Sequence, residues 1–179
     1  GRMEAVKMKR HRWGRDSQRK QTVVESFISI TTLGVYFLIP VMPGGLLLYA
    51  VLFRSSVALA LLLVLFSTVL LPAQTHWQAF LGCSIFKYWR QYFSFSFCAL
   101  EHLDGGKKYV IAEFPHGVFP IAPILAGTVV EECIPAHRVL SVAASNVFKT
   151  PLLKHFFSWL GSRPATKGNF VRSLGEAST

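Results

Sequence analysis

Between Ser26 and Phe86 the sequence carries a single formally charged side chain, Arg54. A bilayer-spanning helix needs about 20 predominantly apolar residues, so this run has room for two passes. The first falls within residues 22–53 and the second within residues 55–72, of which 57–71 is the more uniformly apolar. The first pass contains Pro40, Pro43, Gly44 and Gly45, residue types that kink or end a helix. The hairpin turn therefore falls at residues 54–56 or at residues 40–45. The second choice puts Arg54 inside a membrane helix, at about 2.5–3.5 kcal/mol on insertion scales unless it snorkels, so the first is favoured. Composition points the same way. Hydrophobic residues make up 51% and charged residues 16%, against about 25% charged in soluble domains, and mean hydropathy is +0.39. A length of 179 residues holds an anchor and most of a small domain, and such an apolar chain is not disordered over most of its length.

The net charge of +10 is concentrated at the start. Residues 1–20 carry eight basic side chains against Glu4 and Asp16. A cleaved signal peptide fits poorly, because the basic region and the apolar run are both too long and no small-x-small site follows closely. The positive-inside rule places the head in the cytosol, and two passes return the rest of the chain there, so both termini are expected to be cytosolic. The head is either a solvated tail or a contact for anionic lipid. Nucleic acid is excluded as a partner, since that would need basic residues on a folded face interleaved with aromatics. Three cysteines, Cys83, Cys98 and Cys133, are too few and too scattered for a disulfide scaffold, and without a Cys-x-x-Cys they make no zinc knuckle.

Four segments follow: a basic head over 1–21, a membrane hairpin over 22–72, an interfacial amphipathic helix over 73–98 and a catalytic domain over 99–179. In the third, a helix over residues 76–97 puts Lys87, Arg90, Gln91, Ser94 and Ser84 on one side and Leu81, Ile85, Tyr88, Trp89, Tyr92 and Phe93 on the other. That apolar side packs on a domain core, lies in the bilayer surface, or does both.

In the fourth segment, residues 107–114 (Lys-Lys-Tyr-Val-Ile-Ala-Glu-Phe) read as a strand opened by Gly105-Gly106 and closed by Pro115. Residues 118–133 read mostly as helix, starting near Pro123, and residues 138–144 as a second strand. The spacing predicts a βαβ unit with parallel strands. A further helix is expected with Thr150 as its cap, Pro151 first and Gly161 just past its end. The fold class is thus α/β, in part only, behind a two-helix membrane hairpin.

Chemistry belongs at the carboxyl end of a parallel strand, where Glu113-Phe114-Pro115-His116-Gly117 stands. A neutral imidazole on such a turn suits a general base that deprotonates an alcohol near pH 7. The Gly117 N–H is placed to meet a developing oxyanion, and Glu113 is the nearest group able to orient the ring. A turn histidine that merely bonds a carbonyl is the plainer reading of the same residues. His76, His102, His137 and His155 lack metal-ligand spacing, so no metal is expected, and no Gly-x-Ser-x-Gly elbow or phosphate-cradling loop occurs.

Pro115-His116-Gly117, after a strand and behind a hydrophobic hairpin, resembles the type-2 diacylglycerol acyltransferase family. The later run from Ala144 to Phe170 is more specific, with its Val147-Phe148-x-Thr150-Pro151, Trp159-x-Gly161 and Pro164-Ala165-Thr166 elements similar to plant and algal members. The resemblance covers residues 85–179 by motif and the hairpin by layout. It implies transfer of a fatty acyl group from acyl-coenzyme A, a substrate rather than a cofactor, to the hydroxyl of diacylglycerol or a related alcohol. It implies residence in the endoplasmic reticulum membrane, with the lipid droplet as a further site. His116 is then the catalytic base; Phe114 and Pro115 line the substrate, and Lys149, Lys154, Arg163 and Lys167 are candidates for the coenzyme A phosphates, a solvated helix or loop charge being the plainer reading of each. A homo-oligomer is left open.

The sequence departs from the family pattern in three places. Phe114 stands where the first motif position is commonly His, and Ile121 where related glycerolipid acyltransferases carry the Asp of His-x4-Asp. The chain also stops at Thr179, before the family's Pro-Gly-Gly-x-x-Glu block, so a truncated domain without activity of its own is expected. The alternative is a non-catalytic membrane-hairpin protein.

Overall fold

The computed structural model describes residues 9–11, 21–99, 107–113, 119–133 and 139–176. In chain order the elements are β1 (Lys9–His11), α1 (Val23–Leu38), α2 (Met42–Phe53), α3 (Ser56–Ser67), α4 (Gln78–Leu81), α5 (Ser84–Tyr92), β2 (Phe97–Ala99), α6 (Ile121–Gly127), α7 (Val130–Cys133), β3 (Ser141–Ala143), a 3-10 helix (Ser145–Lys149), α8 (Leu153–Trp159), β4 (Ser162–Pro164) and α9 (Lys167–Glu176). The described residues are mostly helical. They divide into two compact units: residues up to 29 with 82–139 and Glu176 form one, and residues 30–81 with 140–175 the other.

In the first unit, α1 opens with a capping box. The Thr22 N–H donates to Glu25 Oε2 at 2.8 Å and the Glu25 N–H donates to Thr22 Oγ1 at 3.2 Å, so two orphan donors of the first turn are satisfied reciprocally. The expected helix over 76–97 is two helices, because Gly82 and Cys83 separate α4 from α5. Residue 97 already belongs to β2, which pairs antiparallel with β1 in the register Lys9 to Ala99 and His11 to Phe97. The buried side of α5 is also rotated from the expected one. Phe86 and Trp89 are each 2% exposed, whereas Tyr92 and Phe93 are exposed. The two buried rings meet edge to face at 5.6 Å. They sit at i and i+3, so they share a face, and α5 packs on α6, where Ile124 and Leu125 are buried.

The apolar run breaks at both places where the sequence offered a turn. α1 ends before Pro40, which disfavours helix in the residue preceding it, and α1 and α2 are bent by 66° across residues 39–41. Pro43 does not break α2; it stands in the first turn, where its missing N–H has no partner to lose. At the other break Arg54 takes the left-handed conformation with φ 47° and ψ 39°. The N–H groups of Arg54 and Ser55 both donate to the Ala50 carbonyl, a Schellman-type end. Ser55 then caps α3, its Oγ accepting from the Ala58 N–H at 3.2 Å. Among the described residues no single helix is long and apolar enough to cross a membrane, and only the bent pair α1–α2 has the length and composition together. Residues 22–53 thus hold two helices, α1 and α2, with the break near Pro40, and residues 55–72 hold the twelve-residue α3.

The parallel pair is also not the one expected. Residues 107–113 are irregular, with every side chain exposed, so the first expected strand does not form among the described residues. Of the second, Ser141–Ala143 forms β3, and its parallel partner is β4, downstream. The Ser141 and Ser162 hydroxyls are hydrogen-bonded at 2.6 Å, and the Ala165 N–H extends the ladder to the Ala143 carbonyl at 2.8 Å. The 3-10 helix and α8 fill the crossover that a parallel connection requires. Thr150 does not cap α8, which begins at Leu153 after Leu152; it is the C-cap of the 3-10 helix, and its Oγ1 donates to the Asn146 carbonyl at 3.1 Å. Gly161 does stand past the end of α8, at φ +87°.

Helix C-termini in the second unit are closed by distant residues. Past α3, Lys154 Nζ donates to the Val69 and Leu71 carbonyls, each at 2.7 Å. His155 Nε2 bonds the Thr68 carbonyl at 2.7 Å, which requires the ring to carry a proton on Nε2. α8 therefore supplies cationic and N–H donors to the negative end of α3. The end of α8 is closed in turn, since the His76 N–H donates to Ser158 O at 3.0 Å and the Trp77 N–H to Trp159 O at 2.9 Å. A Cβ on Gly161 would lie 2.9 Å from His76 Nδ1, so this docking needs glycine twice, for its φ and for its closeness. Aromatic rings fill the space around it: Trp77–Trp159 at 5.3 Å, Phe80–Trp159 at 5.1 Å and Tyr36–Phe156 at 5.2 Å. We predict that Lys154→Met, which keeps the stem and removes both charge-assisted bonds, destabilises the fold by about 1–3 kcal/mol. Thermal unfolding in detergent would read this as a lower midpoint; an unchanged midpoint would show the bonds to be dispensable.

Candidate active-site region

Phe114, Pro115, His116 and Gly117 lie outside the described residues, which frame the motif on both sides. Before it, Glu113 ends the irregular run 107–113. Its side chain is exposed by area, yet the protein crowds the carboxyl enough for desolvation to raise its pKa. After the motif, Ile121 opens α6 and its N–H bonds the Phe119 carbonyl at 2.9 Å. Pro123 lies inside the first turn of α6 rather than at the start of the helix, again where no partner is lost. The motif thus leads directly into a helix whose Ile124 and Leu125 are buried.

What fixes the far end of that helix is a group the sequence placed on a polar face. Arg90 Nη1 donates to Thr128 Oγ1 at 2.6 Å, and Thr128 Oγ1 donates onward to the Leu125 carbonyl at 2.7 Å. Thr128 is the C-cap of α6, so the guanidinium sits at the negative end of the helix. Burial lowers the pKa of Arg90, opposed by the nearby Glu132 carboxylate. The available signal was the proximity of Arg90 on the helical wheel to Phe86, the more buried flank of α5.

The basic candidates fall in the second unit and divide by location. Lys149 ends the 3-10 helix after β3, and Lys167 opens α9 after β4; both are exposed. Both therefore follow the carboxyl ends of the paired strands, the side on which open parallel sheets take ligands. Arg163 lies within β4, half-buried, with Nη1 at 3.5 Å from Ser173 Oγ. Lys154 is withdrawn from the phosphate candidates, because its ammonium is engaged by the carbonyls beyond α3. The Pro164-Ala165-Thr166 element is a strand-to-helix turn in which Thr166 Oγ1 accepts from the Asn169 N–H at 3.2 Å, and Asn169 Nδ2 donates to the Pro164 carbonyl at 2.9 Å.

A family model for diacylglycerol acyltransferase matches residues 47–178, from the middle of α2 to beyond α9. The match spans the Pro115-His116-Gly117 motif and both paired strands, and it makes the molecule an acyltransferase of lipid metabolism. More narrowly, the chain belongs to the diacylglycerol acyltransferase family. No solved structure matches it.

The Arg90–Thr128 bond yields a direct test. Arg90→Met should lower stability by about 1–3 kcal/mol through loss of a charge-assisted bond at a helix end. Arg90→Lys, which keeps the charge without the planar fork, should restore part of it. Thermal unfolding followed by tryptophan fluorescence checks both; a Lys variant no better than Met would mean that packing of the side chain, not its charge, holds α6.

Proposed function

We propose that the protein is a membrane-embedded enzyme that transfers an acyl group from acyl-coenzyme A to diacylglycerol, with His116 as general base. The family match across residues 47–178 carries this reading. The imidazole of His116 takes the proton of the acceptor hydroxyl as its oxygen attacks the thioester carbonyl. The tetrahedral intermediate, its oxyanion met by the Gly117 N–H, collapses with cleavage of the C–S bond. The imidazolium then returns its proton to the departing thiolate, leaving triacylglycerol, free coenzyme A and neutral His116. Coenzyme A is a good leaving group, so no covalent enzyme intermediate is needed. Phe114 and Pro115 flank the reacting groups. Lys149, Lys167 and Arg163 are our candidates for the coenzyme A phosphates, and the carboxyl-end position of the two lysines supports this.

The bilayer is the solvent in this reading. Large apolar side chains along α1, α2 and α3 are exposed, among them Val24 and Val51 at 67% and Val57 at 68%. Exposed apolar surface of this extent calls for lipid or a partner, and lipid is also where both substrates partition. We place the protein in the endoplasmic reticulum membrane and at lipid droplets, with the basic head cytosolic. We expect the chain to stay in the membrane pellet after alkaline carbonate; release into the supernatant would defeat the embedded reading.

The chemical step is tested in microsomes that express the longest open reading frame containing these residues. His116→Ala should lower acyl transfer by about 10²-fold or more, the contribution of a general base. His116→Gln should fare no better, because the amide accepts no proton at neutral pH; retained activity with Gln would place the base elsewhere. Glu113 orients the ring as a carboxylate, and its pKa is raised by desolvation. Wild-type activity should fall as pH drops, first as the base His116 takes a proton and then further where Glu113 does, at a pH raised by that desolvation. Glu113→Gln should lose only the lower of the two steps and keep the limb of His116, with a smaller loss of rate than at position 116.

A further inference from the structure

Arg54 is the single charge between Ser26 and Phe86, and the fold makes no use of its side chain. Its backbone closes α2 in the left-handed conformation, which disfavours every residue with a Cβ. Glycine or asparagine would end the helix there with less strain. The guanidinium is exposed and, among the described residues, engages no carboxylate, carbonyl or hydroxyl. Arg54 lines an open groove of about 360 Å³ between α2 and α3, together with Leu47, Val51 and Leu59. That volume lies within the range of small-molecule sites. Ser56 also lines the groove, while the Ser55 hydroxyl is already used to cap α3.

We propose that this groove binds one phospholipid, with the phosphodiester held by Arg54 and an acyl chain laid along Leu47, Val51 and Leu59. The inference rests on the membrane-embedded reading above. A guanidinium in an apolar surround needs an anion, and the anion that a bilayer offers is a lipid phosphate. The planar fork of arginine matches two phosphate oxygens at once. Diacylglycerol has no phosphate to offer, and inorganic phosphate has no chain for the groove.

The test uses the 179-residue chain in mild detergent, titrated with phosphatidylglycerol and read by native mass spectrometry. The wild type should retain one phosphatidylglycerol, and R54Q should bind it about tenfold or more weakly, the loss of a charge-assisted pair. R54K should fall between them. V51W, which fills the groove and leaves the charge, should also weaken binding. Equal binding by wild type and R54Q overturns the proposal. So does displacement of the lipid by inorganic phosphate alone, or equally tight binding of diacylglycerol with the same chains. Carbonate extraction separates the site from the embedded reading. R54Q should stay in the pellet with the wild type; release of R54Q alone would make Arg54 a general anchor and overturn the discrete site, whereas release of the wild type would defeat the embedded reading.

Discussion

The carbonyls beyond α3 set the terms for the second unit. A helix that ends in apolar surroundings leaves its last carbonyls needing donors. Here the donors come from Lys154 and His155, side chains more than 80 residues further along the chain. Their position on α8 ties the end of the apolar helices to the crossover between the two parallel strands. α8 ends in the same need, and the backbone of His76 and Trp77, in the segment that follows α3, meets it. Each helix end is thus closed by the chain adjoining the other, a reciprocity that couples α3, α8 and the connection between them.

This reciprocity explains why the resemblance of residues 144–170 to a known family reads more clearly than its physical roles. Trp159-x-Gly161 is a docking surface: the ring of Trp159 meets Trp77 and Phe80, and Gly161 gives His76 room to approach. Pro164-Ala165-Thr166 is the exit from β4 into α9. Both position the strands from whose carboxyl ends Lys149 and Lys167 follow.

The sequence was most legible where the determinant is local. Pro40 marked the end of α1 and Gly161 the end of α8, because each acts through its own backbone. Thr22-Val-Val-Glu25 carries the capping-box spacing, a local signal of the same kind that went unread. The strands were poorly legible because their determinant is the partner. Residues 107–113 have the composition of a strand, yet Tyr109, Val110 and Ile111 are exposed and find no ladder among the described residues. β4, by contrast, is Ser162-Arg163-Pro164. It has no apolar residue to betray it, and it ends in a proline that a ladder tolerates only where no donor is required. Lys154 and Arg90 were misread for a related reason. A basic residue on a helix reads as solvated, and only the fold reveals the helix end it faces.

Strain follows the same logic. Among the described residues four non-glycines hold positive φ: Arg54, His76, Ser94 and Leu152. Each costs on the order of 1–2 kcal/mol and persists only where its surroundings determine it. For Ser94 the backbone suffices, since the Phe95 N–H reaches back to Arg90 O at 2.8 Å. For Leu152 it is the start of α8, with the Lys154 N–H on Thr150 O at 3.2 Å. His76 is held by its bond to Ser158 O and by the contact of its Nε2 with Gln78 Nε2 at 2.7 Å. Arg54 differs from the other three. Its backbone is held by the same kind of helix-end bonds to Ala50, but these ask nothing of an arginine side chain. In a run that otherwise excludes charge, a strained arginine whose side chain the described residues do not use is accounted for by the phospholipid site proposed above.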